Sequence, residues 1–247
     1  MINTYWQASR APRYSLLFAL PLMIIYQLLT LLVPPGPGGV DIRNGADVLL
    51  QAVFVWIAGA WGPRLFMLCL IGVGAWLIAK DIRTHPGKLS PTVLGGMLLE
   101  SLLLSLVFGV VVSGLTVAVL GAPPPPLALG GGITQERLGG GTMLMLSIGA
   151  GIYEELLFRV VLVGLLAWGA HKLLGLQALV AGVAATVLGA LIFSAFHYIG
   201  PFGDRFDAYS FVFRTIAGLF FSALYLTRGF GITAWTHALY DVFLLLR

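Results

Sequence analysis

Six ionisable side chains stand in stretches of this sequence that offer them almost no polar company. Glu154, Glu155 and Arg159 lie in the apolar run Thr142–Ala170, His197 closes the run Leu173–Ile199, and His237 and Asp241 lie in Phe230–Leu246. A charge at bilayer depth costs about 2.5–3.5 kcal/mol, so the three in the first run would together cost roughly 7–10 kcal/mol if left unpaired. Each Leu, Ile, Val or Phe returns only about 0.3–0.6 kcal/mol. These groups must therefore face protein or a wet cavity, and charges so placed mark a functional site.

Their spacing assigns different parts to them. Glu155 and Arg159 are four residues apart, share a helix face and can pair. Glu154 is turned about 100° away and is free to point elsewhere. A free carboxylate beside one held by a guanidinium resembles a general base with its support. His237 and Asp241 are also four apart, so the carboxylate can fix the imidazole tautomer. His197 follows Phe193 by one turn at a helix end. The bland alternatives are a buried ion-pair network for the first group, an interfacial His197 hydrogen-bonded to water, and a structural His237–Asp241 pair.

The residue types point to hydrolysis. No G-x-S-x-G elbow occurs, and Cys69 has no basic partner nearby. Glu154, with His197, would deprotonate a water, and His237 would stabilise the oxyanion formed on the attacked carbonyl. Zinc is the rival, since Glu and His can ligate it. The chain lacks H-E-x-x-H, however, and Arg159 would repel a dication, so no cofactor is expected.

Three separate helices must carry these groups, and the composition says what kind. The 247 residues are 59% hydrophobic and 10% charged, with 14 Lys and Arg against 10 Asp and Glu; ordinary globular chains carry about 25% charged residues. With a mean hydropathy of +0.96, the chain is neither disordered nor a soluble enzyme. One cysteine excludes a disulfide framework, and no basic cluster with interleaved aromatics points to nucleic acid.

The expected architecture is an all-α, polytopic transmembrane helical bundle of seven or eight spans. Ser15–Val33 is read as a retained first span and not a cleaved signal. Ala46–Gly62 is either a span or an interfacial helix. Leu65–Ala79 and Val93–Leu120 (carrying Glu100) follow, and Ala208–Thr227 precedes the last helix. Gly121–Gly141, with Pro123–Pro126 and two Gly triplets, is expected to be a loop. Residues 1–141 would then form an N-terminal set of helices and 142–247 the core bearing the site. Seven loop Lys and Arg on one side against five on the other give a weak orientation bias.

These residues resemble the motifs of a known family. Glu154-Glu155-Leu156-Leu157-Phe158-Arg159 matches EExxxR, Phe193-Ser194-Ala195-Phe196-His197 matches FxxxH, and His237-Ala238-Leu239-Tyr240-Asp241 matches HxxxN/D. All three belong to the CAAX protease and bacteriocin-processing (CPBP, or ABI) family, and the resemblance covers about Thr142–Leu246. It implies an intramembrane endopeptidase similar to the type II CAAX prenyl endopeptidases. Glu154 and His197 would activate water, Glu155 and Arg159 would support the site, and His237 with Asp241 would serve the oxyanion; Phe193 supports them.

The resemblance also implies a peptide or lipidated-peptide substrate and a multi-pass location, the cell inner membrane being expected. The best-known prenyl proteases carry Asn where this chain has Asp241. An ionised Asp cannot donate to an oxyanion, so Asp241 is expected to be protonated or to orient His237. A zinc-dependent variant, a proton-coupled transporter and a non-catalytic immunity protein are the alternatives.

Overall fold

The computed structural model describes residues 2–36, 39, 41–121, 138–200 and 203–246, apart from the side chains of residues 2–4. Every regular element among the described residues is helical. A short helix α1 (Ile2–Arg10) leads into α2 (Pro12–Leu32); then come α3 (Gly45–Ala58), α4 (Gly62–Thr84) and α5 (Pro91–Leu120). Residues 140–172 form one long rod, α6 (Gly140–Gly149) and α7 (Val163–Lys172) joined by two π-helical turns, Ala150–Glu154 and Leu156–Leu162. Helices α8 (Ala178–Phe196), α9 (Ala208–Arg228) and α10 (Phe230–Leu245) complete the bundle.

Five helical stretches are long and apolar enough to cross a membrane: Pro12–Leu32, Gly45–Thr84, Pro91–Leu120, Ala178–Phe196 and Ala208–Arg228. The protein is an integral, multi-pass membrane protein. Its outward faces suit lipid: Leu68, Trp76 and Val110 are 67%, 60% and 73% exposed, and soluble proteins rarely leave such apolar faces uncovered.

The stretch Gly45–Thr84 is not one straight helix. Gly59 adopts φ +55°, conformational space that favours glycine, and the corner sets Phe54 5.4 Å from Phe66. A side chain at Gly62 would overlap the Val55 backbone. With 14 residues, α3 reaches only about 21 Å, short of the roughly 30 Å hydrocarbon core. The sequence-based count of seven or eight also includes residues 140–172 and α10. The former is divided by π turns, and the latter has 16 residues.

Polar staples close one end of the bundle. Arg228 on α9, almost fully buried, donates from Nε and Nη2 to the two oxygens of Glu100 on α5, both at 2.6 Å. Tyr5 donates to Glu100 Oε2 at 2.6 Å, and the Arg228 guanidinium lies 3.8 Å over the Trp6 ring. Burial, followed by the bond to Glu100, pushes the Tyr5 phenol well above its ordinary pKa, so it remains a donor. Arg13 Nε sits 3.1 Å from Asp81 on α4. The α9–α10 break is tied to α2 by Gly231 N–H donating to Ser15 Oγ at 2.7 Å, and Trp235 Nε1 donates to the Phe18 carbonyl at 2.6 Å.

Pro123–Pro126 and Gly130–Gly132, expected in a loop, lie outside the described residues. The second Gly triplet is no longer loop: Gly139 is the N-cap of α6 and Gly140 its first residue.

Candidate functional site

The two glutamates sit where the rod changes its winding. Glu154 ends the first π turn, and Glu155 is the single residue between the two. A π turn bonds i to i+5, and such turns are frequent at functional sites. Neighbouring chains press closely on this segment. A Cβ at Gly149 would lie 2.5 Å from the Tyr26 ring and 2.9 Å from Asn44 Cβ, and one at Gly151 would lie 2.4 Å from the Ala234 carbonyl. Glycine at these positions lets α2, Asn44 and α10 close around the glutamates.

Glu154 and Glu155 face different partners. Glu154, 8% exposed, accepts a hydrogen bond from Asn44 Nδ2 to Oε1 at 2.9 Å, and its Oε2 stands 3.9 Å from His197 Nε2. His197 caps the C-terminus of α8, and its Nδ1 lies 2.9 Å from the Phe193 carbonyl. Because a carbonyl only accepts, Nδ1 carries a proton, and in the neutral ring the Nε2 lone pair is turned towards Glu154. The gap is too long for a direct hydrogen bond, but a water about 2.8 Å from both atoms fits it.

Glu155, fully buried, joins a guanidinium and an imidazole. Arg159 Nε is 3.1 Å from Oε2, and His237 Nδ1 is 2.7 Å from Oε1. The Arg159 guanidinium, 2% exposed, lies 4.4 Å over Phe193 and 5.5 Å from Phe221, so aromatic faces surround the part of the cation that Glu155 does not reach. Phe221 stacks on His237 at 4.4 Å and 17°. Phe193 also packs edge-on to His197 at 5.0 Å, so one ring touches both halves of the site.

Two details differ from the sequence-based expectation. Glu154 is not free, because Asn44, on the approach to α3, holds one of its oxygens. The tautomer of His237 is set by Glu155 from another helix, while Asp241 Oδ2 stands 3.7 Å from Nε2, beyond hydrogen-bond reach. Spacing within one helix cannot reveal either contact. Asn44 is legible in sequence only as a helix N-cap, a role it also fills by accepting from Ala46 N–H at 2.9 Å.

Zinc does not fit this donor set. Glu154 and His197 supply two facing donors, whereas both Glu155 oxygens are already engaged, one by the Arg159 guanidinium and one by the His237 imidazole. Among the described residues, no group of three or more His, Cys, Asp or Glu side chains is arranged to hold a metal.

A bundle with multiple membrane-length apolar helices, holding carboxylates, imidazoles and a guanidinium in its interior, defines a class of intramembrane protein. Comparison supplies a likeness: residues 139–243 match the type II CAAX prenyl endopeptidase Rce1-like family. No curated protein and no solved structure matches the chain.

Proposed function

We propose that the protein is an intramembrane endopeptidase that cuts a membrane-associated peptide, prenylated CAAX-type or leader, with a water activated by Glu154 and His197. The observation that carries this reading is the 3.9 Å gap between Glu154 Oε2 and the lone-pair-bearing Nε2 of His197, in a chain whose matched family comprises peptide hydrolases. The count of seven crossings, with residues 140–172 and α10 among them, and the division into an N-terminal helix set and a core from 142 onward belong to the same reading.

The chemistry balances on the residues present. A water in the gap gives one proton to the Glu154–His197 pair as its oxygen bonds to the scissile carbonyl carbon. The carbonyl oxygen takes up negative charge. When the C–N bond breaks, the same proton passes to the leaving nitrogen, giving a neutral amine and a carboxylic acid; the acid's proton, the second of the attacking water, then passes to the amine, leaving an ammonium and a carboxylate.

His237 serves the oxyanion through Nε2. Because Nδ1–H donates to Glu155, Nε2 can donate only when the imidazole is doubly protonated. Glu155 would hold that imidazolium and Arg159 would hold Glu155, with Phe193 and Phe221 excluding water. Asp241 would orient the Nε2 side of the ring.

The test uses the full chain in detergent with a farnesylated CAAX-type peptide bearing a fluorophore and quencher across the scissile bond. Glu154→Gln and His237→Ala should lose cleavage by at least about a hundredfold while unfolding at temperatures near the parent's. Normal cleavage by both variants would overturn the proposal.

A further inference from the structure

Glu154 is positioned by a part of the chain that the family match does not reach. Asn44 lies before α3, 110 residues from Glu154, and the matched segment starts at 139. Its amide has one orientation consistent with its neighbours. Oδ1 accepts from Ala46 N–H at 2.9 Å as the helix N-cap, so Nδ2 is the atom left to donate to Glu154 Oε1 at 2.9 Å.

The Asn44 backbone is anchored as well. Its N–H donates to Tyr26 Oη at 3.2 Å, and Tyr26 donates to Asp47 Oδ2 at 2.8 Å. Arg43 donates to the same Asp47 oxygen at 3.0 Å, and Gln51 donates to Oδ1 at 2.5 Å. Tyr26 and Asp47 are fully buried. Arg43, Asp47, Tyr26 and Asn44 thus form one connected brace from α2 and the start of α3, and it meets Glu154 through the Asn44 amide.

The close approach at Gly149 docks this brace onto the rod one π turn before Glu154. The donor meets Oε1 and leaves Oε2 facing His197. One oxygen is fixed; the other is free to act.

We infer that Asn44 is a positioning residue for Glu154, supplied by the N-terminal helices, which aims the carboxylate at His197 and keeps it an acceptor. The inference rests on reading Glu154 as the base. Two variants separate positioning from capping. Ser and Asp both cap helices about as well as Asn, so Asn44→Ser and Asn44→Asp should preserve folding. Asn44→Ser removes the amide donor, and Asn44→Asp replaces it with an acceptor against Glu154.

With the farnesylated peptide, kcat should fall about tenfold in Asn44→Ser and about a hundredfold in Asn44→Asp, with KM unchanged, corresponding to the loss of one charge-assisted hydrogen bond and to its replacement by repulsion. In parallel, the infrared carboxylate band of Glu154, carbon-13 labelled and identified by its loss in Glu154→Gln, should move in both variants. A purely structural Asn44 would leave Asn44→Asp as active as the parent and the band in place; that result overturns the inference. If Glu154→Gln abolishes cleavage while both Asn44 variants cleave normally, the protease reading stands and this one falls. If Glu154→Gln cleaves normally, the protease reading falls, and the band still decides whether Asn44 holds Glu154.

Discussion

His237 Nδ1 meets Glu155 Oε1 at 2.7 Å across 82 residues of sequence, whereas Asp241, on the same helix as His237, stands 3.7 Å from the other ring nitrogen. The imidazole is therefore gripped from the rod, and its Nε2 side is the one turned away from that grip. Glu155 acts as a hinge-pin between a guanidinium and an imidazole; Asp241 is a looser neighbour.

This asymmetry separates the two carboxylates experimentally. Glu155→Gln deprives the buried Arg159 of its counter-charge, which costs about 3–5 kcal/mol when one partner of a buried pair is removed. It also releases His237. Cleavage should fall by more than about a hundredfold, and the thermal midpoint in detergent should drop. Asp241→Asn should keep activity within about threefold, since an amide can orient the ring or itself donate. Equal losses from the two changes would contradict the assigned parts.

The pH profile should be bell-shaped, with each limb owned by one residue. On the acid side Glu154 gains a proton and can no longer accept one from water, so the rate falls. On the alkaline side His237 loses a proton; with Nδ1–H still donating to Glu155, Nε2 is left with a lone pair and cannot donate to the oxyanion. Steady-state kcat/KM against pH checks this, and a profile that climbs without descending would remove His237 from the oxyanion role.

Gly151→Ala tests the closeness of the rod and α10. The added methyl would lie 2.4 Å from the Ala234 carbonyl and 2.7 Å from Ala238 Cβ, so the helices must separate. Overpacking of this kind costs about 1–3 kcal/mol. Because Glu155 and His237 sit on the two helices, activity should fall together with the midpoint of thermal unfolding. The same change at Gly164, which has nothing within 4 Å, is the control and should leave both unchanged.

Chelation should not abolish the proposed cleavage. Glu154 and His197 are two donors, and Glu155 is committed to Arg159 and His237. Dialysis against a strong chelator followed by the peptide assay should return at least about 90% of the starting rate, which is indistinguishable from no loss on a free-energy scale. Loss on chelation with recovery on adding zinc would reinstate a metal-dependent mechanism.

What could be read from sequence was local. A glutamate or histidine in an apolar run is visible at once, because lipid penalises it wherever the chain goes, and Glu155–Arg159 follows from helical periodicity. The pairing of Glu155 with His237 was not legible, since it depends on how α10 crosses the rod at Gly151. Nor was Asn44, whose capping role is plain but whose second partner is set by tertiary packing. The π turns were invisible too: Ala150–Leu162 is apolar enough to continue an α-helix, and only the crowding by Tyr26, Asn44 and α10 accompanies the wider winding. The division between Ala46–Gly62 and Leu65–Ala79 was legible, but the place of the corner, at Gly59–Trp61, depends on how Phe54 packs on Phe66.

The staple between Arg228 and Glu100 invites a stability test of its own. Arg228→Met keeps the stem but leaves Glu100 and Tyr5 without the guanidinium, at a cost of about 3–5 kcal/mol. The unfolding midpoint should drop and α1 should become sensitive to protease, while kcat per folded molecule stays near the parent value because no atom of the site is touched.

Ser15 and Phe18 reach their partners Gly231 and Trp235 only across 216 and 217 residues. A ribosome must therefore insert α2 into the bilayer long before the segment that completes its packing has been translated. Until α10 arrives, Glu155 lacks His237, and α2 is held only by earlier partners such as Asp47 and Asp81. A growing chain thus lacks the Glu155–His237 contact until its last helix is in place, and a truncated product, however well inserted, would never form it.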